Sequence, residues 1–161
     1  DRIRRGRPVV VAGDGTSLWT LTHNLDFATG LLGLLGRSEA LGEAFHITGD
    51  EWLTWNAIFG ILGRQLGCEP HLVHVPSAAI LRADADWGAS VWGDKAHSMV
   101  FDNTKVRRLV PEFRTTIPFE RGARDIVEWY REDPARCRVE PAFDALQDRL
   151  AGIYTKALHE V

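Results

Sequence analysis

The chain has 161 residues, enough for one domain with a real core, and its 45% hydrophobic and 25% charged content is ordinary for a globular protein. Its net charge of −3 argues against a nucleic-acid or anionic-membrane partner, and no run approaches the ~20 apolar residues of a membrane span. No signal-peptide pattern is present, and Cys68 and Cys137 read as thiols in a reducing compartment, so the expected location is cytoplasmic.

Asp1 to Pro8 reads as the basic last turn of a helix, stopped by Gly6 and Pro8, its four arginines explained by the helix dipole and by solvation. A lone last turn leads us to expect missing chain upstream. Val9 to Val11 are β-branched and suit a buried strand. Gly13-Asp14-Gly15 forces a tight loop, and Ser17 to Thr22 is a second extended run. Asn24 is a good N-cap for a helix with Leu25, Ala28, Leu32 and Leu35 at helical spacing. Gly42 to Thr48 alternates and predicts a strand. Thr54 caps a helix with Trp55, Ile58, Leu62 and Leu66 on one face, ended by Gly67.

His71 to Val75 is a short strand between prolines, and Pro76 starts a helix that runs through Leu81. Trp87 to Trp92 predicts a short helix, Ser98 to Phe101 a strand, and Asp102 caps a helix from Thr104 to Leu109. Phe119, Ala123, Ile126, Val127 and Tyr130 make a helical stripe that Asp133-Pro134 breaks. A last helix from Pro141 to Leu158 carries Phe143, Leu146, Leu150, Ile153 and Ala157 on one side.

The run from Gly13 to Ala28 resembles the "G-D-G-x-x-x-R-x-φ-x-H-V-x-D-φ-A" segment (φ apolar) of the extended short-chain dehydrogenases, the NAD-dependent epimerase/dehydratase family. Gly13, Asp14, Gly15, His23, Asp26 and Ala28 match, and Trp19 stands in place of the arginine. Gly42 to Thr48 resembles a family strand that would lie beside Val9 to Val11. Gly93, Asp94, Asp102, Lys105, Arg107 and Leu109 match a further segment, and Gly122 and Trp129 match the family's terminal helix. The resemblance covers residues 1 to about 132. It implies an α/β fold: the helix-rich, C-terminal substrate-binding portion with short strands, the Rossmann nucleotide-binding part being absent. Residues 1–132 would be that portion and residues 133–161 a helical extension.

The family's chemistry sits in the Rossmann part. Dinucleotide binding needs a glycine-rich turn between a strand and a helix, and Gly30, Gly33 and Gly36 follow no strand. The family's Tyr-x-x-x-Lys pair is missing: Pro134 stands four after Tyr130, and Leu158 four after Tyr154. No catalytic residue is therefore assigned, and the chain alone is expected to bind no cofactor. The longer parent would use NAD or NADP to oxidise a carbinol or reduce a carbonyl, and whether the chain counts as an enzyme stays open.

Family members that act on nucleotide sugars hold the diphosphate with two arginines; Trp19 replaces one and Val91 the other. The expected substrate is a small molecule other than a nucleotide-diphosphate sugar, and the substrate-binding candidates are Trp19, His23, Val91 and Asp94. Trp52, Trp55, Trp87 and Trp92 would line the same pocket or fill the core. His71 and His74 point to opposite strand faces, so no metal site is expected. Residues 105–138 carry nine basic and six acidic side chains, read as a solvated helical face with a phosphate-seeking patch as the alternative. The expected partners are the missing Rossmann part, the substrate and a second copy, with no membrane. The rival reading is a non-catalytic binding or interaction domain of the same family. RNA binding, known from chloroplast stem-loop-binding relatives, is less favoured because the chain is acidic.

Overall fold

The computed structural model describes residues 1–160. Strand β1 (Val9–Ala12) pairs in parallel with β4 (Leu72–Val75), Val9 opposite Leu72 and Ala12 opposite Val75. Strand β2 (Leu18–Thr20) pairs antiparallel with β3 (Trp52–Thr54), Trp19 opposite Leu53. The helices are α1 (Asn24–Leu34), α2 (Trp55–Leu66), α3 (Ser77–Ala83), α4 (Ala85–Ser90), α5 (Thr104–Leu109), α6 (Phe119–Glu132) and α7 (Pro141–His159). A π-helical stretch, Val91–Lys95, continues α4. The fold is thus helix-rich α/β with short strands. Val161, the end of the expected extension, lies outside the described residues.

Two clusters form the core. Val9 to Val11 are all buried, because a parallel pair is covered on both faces. Val10, Val73 and Val75 pack with Ile80 of α3, with Val91, and with Leu150 and Ala151 of α7. The second cluster joins Leu34 of α1, Val106 of α5, Val110 and Phe113. Gly88 lets α3 and α4 cross closely: a Cβ there would stand 2.1 Å from the Leu81 Cα.

The arginines of the first turn are not merely solvated. Arg2 is 8% exposed and donates to Asp144 and Asp148 of α7, and its Nε donates to the Pro8 carbonyl at 2.6 Å. Arg5 and Arg7 also pair with Asp144. The N-terminal turn is therefore an ionic clamp on α7, a long-range pairing that helix-end charge alone does not disclose. Burial opposes ionisation of Asp144, but hydrogen bonds from Arg5 and Arg2 outweigh it and hold the carboxyl below the usual carboxylate range. A depressed folded-state pKa contributes stability that is present above the unfolded value of about 3.9 and is lost as pH falls through the folded value. Acidification below about pH 4 should therefore weaken the clamp, and Asp144→Asn should remove that part of the acid dependence. Melting curves near neutrality and in that acid range check this. The same acid-induced drop in both proteins would refute it.

Four expectations about the elements are corrected. Residues 42–48 form no strand: Asn103, 3% exposed, accepts from the Thr48 amide at 3.1 Å and donates to its carbonyl at 2.8 Å, taking the place of a ladder partner. Nor do residues 98–101. Met99 N donates to Leu18 O at 2.9 Å, but the Ser98 and Thr20 hydroxyls supply the remaining bonds to β2. Helix α1 turns Asp26, Gly30 and Leu34 inward, leaving Leu25, Leu32 and Leu35 exposed. The inward row is one with a small residue at its centre, which lets Ile47 and Phe113 approach. In α7, likewise, Leu150 and Ala151 are buried while Ile153 of the expected stripe is exposed.

Candidate functional site

A cavity of about 630 Å³ opens between the residues entering α1, the loop before α6, and α6 itself, walled by Leu21, His23, Ile117, Phe119, Asp125 and Trp129. Each wall has a local cause. His23, not Asn24, caps α1: its Nδ1 accepts from the Leu25 amide at 3.2 Å. The ring proton therefore sits on Nε2, which faces Asp125 Oδ2 at 3.8 Å. Nδ1 is held by the cap, and the 3.8 Å approach to Asp125 is too long for a hydrogen bond, so the Nε2–H is left to donate to a group in the cavity. Asp26, 5% exposed, accepts from Thr116 N, Thr116 Oγ1 and Ile117 N, pinning the loop. Glu51 accepts from Phe119 N at 2.8 Å, placing a carboxylate at the start of α6, where the helix dipole favours it.

Helix α6 presses Ala123 and Val127 inward. Ile126, Trp129 and Tyr130 stay exposed along the cavity. The Trp129 and Tyr130 rings meet edge to face at 4.8 Å, and the Arg136 guanidinium stacks on Trp129 at 4.4 Å. A neighbouring hollow of about 300 Å³ shares Leu21, His23 and Ile117 and adds Asp26, Asp50 and Glu51. Partial burial pushes the Asp50 carboxyl up, but hydrogen bonds from Thr115, Arg107 and Asn103 outweigh it and hold it below the usual range. No Lys or Arg is among the residues lining either space. A diphosphate would find aromatic walls and carboxylates there, and no guanidinium fork.

The four substrate-binding candidates fall in three places. Trp19 is half-buried, its ring 5.4 Å from Trp55, with Lys95 Nζ 5.6 Å from its centroid. Asp94 meets the same lysine at 3.4 Å, so Trp19 and Asp94 share one locality. His23 lies in the cavity. Val91 is 3% exposed and packs in the first core cluster, so its side chain is a core group and reaches no open surface. Of the other tryptophans, Trp52 and Trp92 are exposed, while Trp87 packs against the core and meets Phe143 at 5.0 Å. Sequence reasoning missed Asp125 and the role of Trp129 and Tyr130. The available signal was the α6 stripe, wider than its contact with α2 requires.

Among the described residues one glycine turn directly follows a strand, and it does not suit a dinucleotide. Gly13 and Gly15 have positive φ, but the loop leads into β2 and not into a helix. Asn56 fills it: Nδ2 donates to Asp14 O at 2.9 Å, and a Cβ on Gly15 would stand 2.1 Å from Asn56 Oδ1. A pyrophosphate could not approach that backbone as it does a helix N-terminus. Among the described residues no group of three or more His, Cys, Asp and Glu is placed to hold a metal ion, and no helix is long and apolar enough to cross a membrane.

Fold and cavity together define a helix-rich α/β unit with an aromatic hollow on one side. No family model matches the chain. It is 32% identical over 113 residues to 2'-dehydrokanamycin reductase of Streptomyces kanamyceticus, covering 68% of this chain and 31% of that protein. It is 34% identical over 74 residues to the chloroplast stem-loop binding protein of 41 kDa b of Arabidopsis thaliana, covering 45% and 20%. The structure of dTDP-glucose 4,6-dehydratase from Streptomyces venezuelae, solved with NAD, superposes with a TM-score of 0.61 at 27% identity, over 83% of this chain and 37% of that one. The chain belongs to the extended short-chain dehydrogenases, the NAD-dependent epimerase/dehydratase family. It spans about a third or less of the length of the curated relatives it matches.

Proposed function

We propose that this chain forms the substrate-binding part of an NAD(P)-dependent epimerase, dehydratase or reductase. The nucleotide-binding part and the reacting tyrosine and lysine would lie on a portion with no counterpart here. The observation that carries the reading is the cavity of about 630 Å³, with aromatic walls and no lining cation. Such a space suits a neutral carbinol or carbonyl with an apolar or ring-bearing body, gripped by Trp129, Tyr130 and Phe119 and oriented by the His23 Nε2–H. A nucleoside diphosphate sugar does not fit that chemistry. The relative named for a dehydrokanamycin supports this side of the reading. The chain alone would bind no NAD and turn nothing over.

The second reading, a non-catalytic binding module, draws on the likeness to a stem-loop binding protein. One NMR titration of the chain separates the possibilities, with cyclohexanol as a neutral carbinol probe, UDP-glucose, NAD and a short stem-loop RNA. Cyclohexanol is expected to shift Gly122, Asp125 and the Trp129 indole, and UDP-glucose and NAD to shift nothing. Saturable NAD or UDP-glucose binding would overturn the proposal. Shifts with the RNA alone would favour the second reading.

A further inference from the structure

One donor and one acceptor stand side by side in the larger cavity, and neither satisfies the other. A Cβ on Gly122 would stand 3.4 Å from His23 Cδ2, so the imidazole rests on that turn of α6. Asp125 follows on the same helix face, which brings its Oδ2 to 3.8 Å from His23 Nε2. Its other oxygen, Oδ1, faces Arg121 Nε at 3.3 Å, and Arg121 is itself exposed and does not line the cavity. Among the described residues no donor lies within hydrogen-bond distance of Oδ2, and no acceptor within that distance of Nε2. Asp125 is the one carboxylate lining this cavity, and no lysine or arginine lines it. The neighbouring hollow, which shares His23, adds Asp26, Asp50 and Glu51. Arg107 offsets Asp50, but Asp26 and Glu51 are held by backbone amides and a hydroxyl, groups without net charge. A ligand here therefore meets negative potential together with ring surface from Phe119, Trp129 and Tyr130. Trp129 already takes a cation from a residue outside the lining, the Arg136 guanidinium 4.4 Å from its ring.

We propose that the ligand of this cavity is an amino alcohol: its ammonium, on the carbon next to the carbinol, donates to Asp125 Oδ2, and its oxygen accepts from the His23 Nε2–H. This rests on the reading of the cavity as the place that holds a carbinol, and names the group that stands beside that carbinol. A lone hydroxyl can bridge Nε2 and Oδ2, yet it leaves the carboxylate uncompensated and brings no cation to the rings. An amine alone compensates the carboxylate but offers the Nε2–H no acceptor, because an ammonium has only donors. On adjacent carbons a gauche nitrogen and oxygen lie about one hydrogen-bond length apart, so each reaches its own partner across the 3.8 Å gap. The Asp125 side chain is 45% exposed, so water and salt screen its charge and the preference is modest.

The test is an NMR titration of the chain at neutral pH with trans-2-aminocyclohexanol, trans-cyclohexane-1,2-diol, cyclohexylamine and cyclohexanol, read at Gly122, Asp125 and the Trp129 indole. The amino alcohol is expected to bind about fivefold more tightly than cyclohexanol or the diol, the size of one partly exposed ion pair with a ring contact, with cyclohexylamine in between. Raising the salt concentration should shrink that ratio. Asp125→Asn, which keeps the size of the side chain and removes its charge, should bring the ratio close to one. Equal affinities for the amino alcohol and cyclohexanol in the wild-type chain, or a preference that survives Asp125→Asn, would overturn the amino alcohol and leave the carbinol reading intact. A tighter amino alcohol whose shifts miss all of these residues would overturn it too. If none of the four ligands shifts the cavity, the carbinol reading itself fails and this inference fails with it.

Discussion

Replacing Phe113 by alanine is expected to cost the fold about 3–5 kcal/mol, the range for deleting a fully buried aromatic ring. Phe113 is 0% exposed and packs with Leu34, Val106 and Val110. The ring also lies where α1 comes closest: a Cβ on Gly30 would stand 3.2 Å from it. The Arg107 guanidinium lies 5.6 Å from the ring centroid, so the site cannot close by a simple shift of one neighbour. The cavity left behind would stay open. Chemical denaturation measures this, and Phe113→Leu should recover much of the loss. A loss below about 1 kcal/mol for the alanine variant would mean that the second cluster collapses freely and does not hold α1.

The second large effect is expected at Asp26. Its carboxylate accepts from two backbone amides and one hydroxyl of the Thr116–Ile117 loop while being 5% exposed. Asp26→Ala removes the acceptor and leaves the amides without partners, at a cost of about 2–4 kcal/mol. The loop carries Ile117 and Pro118 into the cavity wall, so the effect should reach the ligand site. Affinity for cyclohexanol should fall, and the Gly122 and Asp125 amide resonances should broaden or move. Asp26→Asn, which keeps one acceptor oxygen, should fall between wild type and alanine. Unchanged stability with unchanged cavity resonances would show that the loop is held by Glu51 and its own packing instead.

Much of the architecture was legible in local chemistry. The β-branched run at Val9 to Val11, the Thr54 cap, the proline-bounded strand near His71 to Val75 and the starts of α6 and α7 all depend on residues a few positions apart. Local steric and capping preferences act within that range. The family's motif residues were legible too, but their work was not. Asp26 stands in the motif as a carboxylate of undefined purpose, and the structure shows it bonding to residues ninety positions away. The candidate site was legible only at His23. Trp129 and Tyr130 look like any amphipathic stripe until the face of α6 that meets α2 is known.

By itself the sequence determined the helix-rich α/β class, the order of most elements, the absence of a Tyr-x-x-x-Lys pair and the family likeness. These are matters of residue type, spacing and local backbone preference. Only the tertiary structure decided which strands pair, which face of each helix is buried and what closes the cavity. Those choices turn on partners far apart in the chain. Asn103 takes the backbone bonds of Thr48, at the end of the expected 42–48 strand, and the Arg2, Arg5 and Arg7 guanidiniums find Asp144 across nearly the whole sequence. Val91, placed in a binding site by motif position, is drawn into the core because the packing of β1, β4 and α3 leaves an apolar gap that a valine fills.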